Sequence, residues 1–152
     1  MLKEDLNALT ARFIAEWTFG ATYPVIYDGA PQGNHPKGSC QFSVILTASQ
    51  HLYGNVVVGA KKQNGFVELN IDVPDQNGDK DAILMMESFA NIFRNWTDNT
   101  VVCQTEYMTP KVNLKNGLIR YRISVPFFSI RQYAVPSINF NAANNSQYIG
   151  LI

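Results

Sequence analysis

The stretch from residue 66 to residue 96 joins a strictly alternating segment to an amphipathic one, with only a short polar loop between them. Apolar side chains occupy every second position of the first segment: Val67, Leu69, Ile71 and Val73. Such alternation predicts a β-strand with one buried face. A helix is predicted over residues 79–96, with the apolar stripe Ile83, Met86, Phe89 or Ala90, Phe93 and Trp96. A strand and a helix this close in sequence favour a sheet with a helix packed on it.

A second amphipathic helix is predicted over residues 2–17, and further strands surround both helices. The stripe of the first helix consists of Leu2, Leu6, Leu9, Phe13 and Trp17. Strands are predicted at 25–27, 40–47, 100–108 and 118–128, with a weaker one at 55–60, turns at 49–53 and 61–65, and a tight hairpin at Asn116-Gly117. Helices and strands are thus segregated, which predicts an α+β fold: a mainly antiparallel mixed sheet with two helices on one face.

Length and composition indicate one globular domain followed by a tail. The chain has 152 residues, of which 16% are charged. This low charge density is typical of a protein that covers part of its surface with partners. We expect one domain over residues 1–133 and an extended tail over residues 134–152, which is rich in Asn, Ser and Ala with scattered apolar side chains.

Charge is divided unevenly along the chain, although the net charge is zero. Residues 1–98 carry seven basic and eleven acidic side chains, a net of −4, and residues 99–152 carry five basic and one acidic, a net of +4. The two parts can neutralise each other within one subunit or between neighbours, and chance explains the division equally well. A net charge of zero creates no global field that attracts nucleic acid or an anionic membrane.

The cysteines and histidines do not form a recognisable catalytic or metal motif. Cys40 and Cys103 fall in predicted strands, where reduced cysteines serve as small buried apolar residues. His35 and His51 are the only histidines, so a site with several histidine ligands is excluded. Asp28, His35 and Cys40 have no pattern that would make them a nucleophilic set. We expect no enzyme activity and no cofactor.

The acidic segment 75–81 has oxygen-bearing side chains at alternate positions, as a calcium loop does. Lys80 stands where that loop requires its turn glycine, however, and Met86 stands where it requires a bidentate glutamate. The segment is therefore predicted to be a solvent-exposed loop that caps the second helix. Glu68 and Asp72 share one face of the strand before it, and we expect both in solvent.

Six residues are candidate assembly contacts: Lys61, Lys62, Arg120, Arg122, Phe140 and Tyr148. The lysines stand at a predicted hairpin turn, as a basic tip that either stays in solvent or meets DNA or an acidic partner. The arginines alternate with apolar residues and predict a small basic ridge on the outer face of the last strand. The aromatic residues lie in the tail, where isolated apolar side chains often dock on the same subunit or the next.

Five segments follow one another in a characteristic layout. They are a helix at 6–13, a strand at 40–44 after a Pro/Gly-rich loop, a strand at 65–73, a helix at 82–94 and a closing hairpin strand at 118–127. Together they resemble the tail-terminator, or tail-completion, proteins of long-tailed phages. The resemblance covers residues 5–130 and concerns layout and side-chain class, and it includes no catalytic signature.

The resemblance implies a structural virion protein that forms a ring, usually of six subunits, at the head-proximal end of the tail tube. Such a ring ends tube polymerisation and docks to the head connector, and genome DNA passes through it without sequence-specific binding. The implied partners are other copies of the chain, the tail tube protein and a head-completion or connector protein. The protein would be assembled in the host cytoplasm and reside in the virion at the neck, without contact to a membrane.

Two other functions stay open at this point. One is another head–tail connector or neck component. The other is a small-molecule enzyme or binding domain, which requires a concave pocket with convergent polar groups. The first residues lack the apolar run of a signal peptide, and no stretch of about 18 apolar residues predicts a membrane span.

Overall fold

A computed structural model of the chain describes residues 2–31, 33, 35–52, 58–75, 78–98 and 100–134. This part of the chain contains two helices, α1 (Leu2–Glu16) and α2 (Gly78–Phe93). Its strands are β1 (Val25–Tyr27), β2 (Ser39–Leu52), β3 (Val58–Pro74), β4 (Thr97–Asp98), β5 (Val101–Cys103), β6 (Tyr107–Asn113) and β7 (Leu118–Ala134).

The strands form one mixed sheet with the order β1-β2-β3-β7-β5-β4, and β6 also pairs with β7. The β1–β2 pair is parallel, and the other pairs are antiparallel. β3 and β7 pair along their whole lengths, from Val58 with Ala134 to Pro74 with Leu118. The predicted fold class, a mainly antiparallel mixed sheet with two helices packed on one face, is confirmed.

The core lies between the helices and the apolar face of β2, β3 and β7. The alternating residues of β3 that opened the sequence analysis are fully buried: Val67, Leu69, Ile71 and Val73. From the first helix, Phe13 stacks on Phe42 of β2 with ring centroids 4.2 Å apart. From the second helix, Phe89 and Phe93 join the same aromatic cluster. These contacts hold both helices against one face of the sheet.

Helix α2 ends three residues earlier than predicted, and its buried face differs slightly. Asn95 adopts a positive φ of 54°, a conformation that cannot continue a right-handed helix. Ile83, which we predicted in the apolar stripe, is 49% exposed, whereas Ala82 and Met85 are fully buried. Met86, Phe89, Ala90 and Phe93 are buried as predicted. The buried face is broader than the predicted stripe, because the helix packs over both β3 and β7.

Strands β2, β3 and β7 continue together into an extension, which we call the arm: residues 46–52, 58–65 and 127–134. At its base, β5 also pairs with residues 127–129 of β7, and Phe127 and Ser129 are buried there. The turns predicted at 49–53 and 61–65 are therefore wrong within the described residues. Side chains 46–51 of β2 are all exposed. This segment therefore lacks the alternation of apolar and polar residues that a buried face produces. Hydrogen bonding to neighbouring strands, rather than a buried face, extends these strands.

The second half of the sheet departs from its prediction in one place and follows it in another. The predicted strand at 100–108 is two strands, β5 and β6, and Pro110 lies inside β6 beside a register irregularity between Thr109 and Val112. The hairpin at Asn116-Gly117 is confirmed, with a φ of 82° at Gly117. Strand β7 extends to Ala134, the first residue of the predicted tail. Residues 135–152 lie outside the described residues, as do residues 55–57 of the predicted weak strand, so the division into a domain and a tail stays a prediction.

Candidate functional site

The face of the sheet opposite the helices carries three polar pairs between β3 and β7: Asp72 with Arg120, Asn70 with Arg122, and Glu68 with Ser124. Arg120 donates two parallel bonds to Asp72, from Nε to Oδ1 at 2.8 Å and from Nη2 to Oδ2 at 2.9 Å. This bidentate geometry is the strong form of an ion pair. The bond to Asp72 raises the pKa of the Arg120 guanidinium above its ordinary value.

Glu68 lies deeper in the same face and is only 9% exposed. Its carboxylate is 3.6 Å from Nε of Arg122 and accepts long bonds of 3.4 Å from Asn70 and Ser124. Arg122 also donates to Oδ1 of Asn70 at 2.8 Å. The prediction that Glu68 and Asp72 stand in solvent is therefore wrong, because the long arginine side chains of β7 lie over the carboxylates of β3.

Arg120 and Arg122 consequently do not form a free basic ridge. Each guanidinium is partly exposed, and each has a more deeply buried carboxylate beside it. A groove of about 360 Å³ lies next to them, lined by Thr109, Pro110, Lys111, Val112, Arg120 and Arg122. Because the arginine charges are already balanced, this groove has little net attraction for an anion.

Lys61 and Lys62 lie in the arm, within β3, opposite Arg131 and Ile130 of β7. The sequence had predicted a hairpin tip at these two lysines, and that prediction is wrong. The Lys62 ammonium lies 4.6 Å from the centre of the Phe128 ring, a distance at which a cation is attracted to an aromatic face. The other two candidate contacts, Phe140 and Tyr148, lie outside the described residues, and the assembly role of all six stays a prediction.

Asp5 is a buried charge that the sequence analysis did not single out. It is 2% exposed and accepts bonds from Ser129 at 2.6 Å, Thr100 at 3.1 Å and Nε of Arg131 at 3.2 Å. A second, shorter contact joins it to Nη2 of Arg131. Asp5 thereby ties the first turn of α1 to the β4–β5 connection and to the arm. These partners are 95 to 126 positions away in sequence, so no local pattern indicates them.

Two tyrosine hydroxyls donate to carboxylates in the first turn of α2. Tyr23 bonds Oδ2 of Asp81 at 2.8 Å, and Tyr121 bonds Asp79. Burial, assisted by these bonds, raises the pKa of each tyrosine to about 12. Lys111 also lies 3.8 Å from Asp79. The carboxylates of Asp79 and Asp81 are therefore occupied by the protein itself.

Both cysteines are buried free thiols, as predicted. Burial raises the pKa of Cys40 and of Cys103 to about 12, so each is a protonated thiol at neutral pH. Sγ of Cys40 lies 3.7 Å from Sδ of Met85, and Asp28 accepts a bond from Ser43 at 2.9 Å. Within the described ranges, no group of three His, Cys, Asp or Glu side chains is placed to hold a metal ion.

In the part of the chain that the structure describes, neither helix is long and apolar enough to cross a membrane. No protein-family model matches the chain, and no curated protein matches it. Solved structures do match. One, of a protein whose name gives no function, has a TM-score of 0.58 at 14% identity and covers 87% of this chain and 98% of its own. At this identity the likeness concerns the fold alone, so the comparisons support an α+β domain with two helices against a mixed sheet.

Proposed function

We propose that this protein is a phage tail terminator: a structural subunit that forms a ring at the head-proximal end of the tail tube. The ring ends tube polymerisation and docks to the head connector. The observation that carries the proposal is the arm. Its β2 segment is exposed from residue 46 to residue 51, and a strand segment that buries so little within its own subunit is suited to covering a partner.

The placement of the charged groups supports an assembly role over a chemical one. Three of the basic residues beyond position 98 form ion pairs with carboxylates from the first part of the chain: Arg120 with Asp72, Arg122 with Glu68, and Arg131 with Asp5. These ion pairs stabilise the fold, and the arginines that border the groove beside β6 are already balanced by Asp72 and Glu68. A surface whose charges are already matched favours contact with a protein over contact with an anionic ligand.

Exposed apolar residues support a protein with several partner surfaces. Tyr107, Met108 and Val112 lie on β6 and are 47%, 48% and 55% exposed. Ile83 and Leu84 lie on the outer side of α2 at similar exposure. The arm, the β6 strand and the outer side of α2 are separate elements. A ring subunit requires such separate surfaces for its neighbours, for the tube and for the connector.

The test is to image the purified protein by electron microscopy and to weigh it by native mass spectrometry. We expect rings of a single subunit number, and we expect added protein to bind the ends of tail tubes and stop their growth. The control is a tube assembly reaction with an unrelated protein of equal mass. A protein that stays monomeric at high concentration and leaves tube length unchanged contradicts the proposal.

A neck or connector component would also form rings, so partner mapping separates it from a terminator. Cross-linking in assembled particles should join this protein to the tail tube protein on one side and to a head-completion protein on the other. Cross-links to head proteins alone identify a connector component instead.

A further inference from the structure

Strand β2 has one edge that is largely open. Its parallel partner β1 covers only residues 40–42, through the register Val25 with Cys40 to Tyr27 with Phe42. From Ser43 to Leu46, no described strand pairs with this edge, whereas β3 pairs with the opposite edge of the same residues. A register irregularity between Leu46 and Ser49 then interrupts β2, so the open edge that we consider is the segment 43–46.

The direction of the backbone groups on this edge follows from one hydrogen bond. The N–H of Cys40 donates to the carbonyl of Pro24 at 2.8 Å, towards β1. Backbone groups in a strand point alternately to its two sides. The N–H and C=O groups of Val44 and Leu46 therefore point to the same side as those of Cys40, beyond the end of β1. They are placed to bond an added strand.

Ahead of the irregularity between Leu46 and Ser49, residues 43–46 of this edge carry no charged side chain and no proline. Open edges are usually protected by charged side chains, proline or bulges that twist the strand away. Strand β2 has the sequence SCQFSVILTASQHL, without a lysine, arginine, carboxylate or proline. The edge strand β6 contains Pro110, Lys111 and its own register irregularity. On β2 the irregularity comes only after Leu46, so the segment 43–46 stays open to an added strand.

A groove accompanies the open edge on the helix side of the sheet. It has a volume of about 240 Å³ and is lined by Leu6, Thr10, Tyr27, Asp28, Phe42 and Val44. Val44 and Phe42 belong to β2 itself, and Leu6 and Thr10 belong to α1. A strand added to β2 would direct alternate side chains into this groove. Main-chain bonds then provide affinity and the groove provides selectivity for apolar side chains.

We propose that the open edge of β2 and this groove bind residues 135–152 of a neighbouring copy as an added strand. Those residues directly follow β7 and contain no charged side chain. Ile138 and Phe140 alternate with Asn139 and Asn141, the two-residue period of a strand with one apolar face. The proposal rests on the proposed function, since it assigns the contact between ring subunits.

The donor and acceptor surfaces differ, which makes the contact head-to-tail. A contact of this kind closes into a ring when the rotation between subunits allows it. Within one subunit, β3 and β2 itself lie between the end of β7 and the open edge. A chain leaving β7 at Ala134 would have to pass around the arm to reach its own edge, so we assign the segment to the next subunit.

The first experiment cross-links the full chain with the photoreactive residue p-benzoylphenylalanine in place of Phe140. Unlabelled and ¹⁵N-labelled proteins are mixed, unfolded and refolded together, assembled and irradiated, and the cross-linked peptides are identified by mass spectrometry. We expect peptides that join position 140 of one isotopic form to residues 43–46 or to the groove residues of the other form. Cross-links confined to one chain, cross-links to another surface, or a lack of cross-links would overturn the proposal.

The second experiment compares Leu46→Pro with Leu46→Ala in the full chain. Both variants lose the same side chain, but only proline removes the outward N–H and places a ring against the incoming strand. We expect the protein concentration at half-assembly to rise about tenfold or more for Leu46→Pro relative to Leu46→Ala. Equal assembly of the two variants overturns the proposal. If Leu46→Pro does not fold, the cross-linking result decides.

These results also separate the contact from the function. Rings that cap tail tubes but show no cross-link from position 140 to the β2 edge exclude strand addition and leave the terminator function in place. A protein that cross-links as expected but neither forms rings nor binds tube ends excludes the terminator function and leaves strand addition in place.

Discussion

At the scale of single residues, the sequence predicts burial where the cause is local and fails where the cause is distant. Val67 and Leu69 are fully buried, as the alternation in β3 indicates. Asp5 is buried just as deeply, although an aspartate beside a helix stripe normally lies in solvent. Its partner Arg131 comes 126 positions later, so only the closed sheet reveals the pairing.

Replacing Asp5 with alanine should destabilise the fold strongly, because Ser129, Thr100 and Arg131 all lose their acceptor. We expect a loss of about 2–4 kcal/mol in the free energy of unfolding, since a broken buried pair costs several kcal/mol and Arg131 keeps some contact with water. Urea denaturation followed by circular dichroism measures this loss. Glu4→Gln, at a side chain 72% exposed, is the control. An unchanged midpoint for Asp5→Ala would contradict the assigned contacts.

Stability should fall in alkaline solution as the buried tyrosines approach ionisation. Tyr23 and Tyr121 have their pKa raised from 10.0 to about 12 by burial and by bonds to carboxylates. Below pH 10 both tyrosine hydroxyls are protonated in the folded state and in the unfolded state. Above it the unfolded chain releases these protons first, so stability decreases from about pH 10 to about pH 12. Urea midpoints across this range measure the decrease, and Tyr121→Phe should reduce its slope. A midpoint that rises with pH would rule out this linkage.

At the scale of elements, a strand can be predicted from the sequence where one of its faces is buried. A strand with both faces exposed leaves no such pattern. The segment of β3 over the core shows clean alternation, and its prediction is confirmed. The arm portions of β2 and β3 have no buried apolar side chains among residues 46–52 and 59–65, so Lys61 and Lys62 looked like a turn. Pairing with strands on both sides sets their conformation, and that information lies in β7, not in the segment itself. The open edge of β2 was hidden for the same reason.

Helix α2 offers a direct test of the core. Phe89 is fully buried and packs against Phe42, Phe93 and Phe13. We expect Phe89→Ala to cost about 3–5 kcal/mol, because it removes a large buried side chain and leaves a cavity. Chemical denaturation gives the value. Ile83→Ala on the same helix, at an exposed position, should cost far less. Similar losses at both positions would mean that the buried face is misassigned.

At the scale of the whole molecule, the uneven division of charge has a structural explanation. Arg120, Arg122 and Arg131 form ion pairs with carboxylates from the first 98 residues. Of the alternatives that the sequence left open, neutralisation within one subunit is the one observed for these pairs. The sequence gives the net charges of the two parts, but only the β3–β7 register determines which residues meet. The groove beside β2 was likewise beyond sequence reasoning, because it joins α1, the end of β1 and the β2 edge.

Deleting residues 135–152 should impair assembly far more than folding. The deletion leaves α1, α2 and all seven strands with their full sequences, so we expect thermal unfolding close to that of the full chain. Ring formation should be lost, because the deletion removes the proposed donor strand. Thermal denaturation and native mass spectrometry measure the two effects separately. If the shortened chain fails to fold, these residues belong to the core of the domain instead.

The position of β7 has a consequence for how the protein is made. It is the last strand in the described sequence, yet it lies inside the sheet, with β3 on one side and β5 and β6 on the other. During synthesis, β3 leaves the ribosome some sixty residues before the strand that must cover its edge. The nascent chain therefore exposes the unpaired edges of β3, β5 and β6 until β7 has been translated. We expect the sheet to form only after that point and chaperones to be useful in the interval.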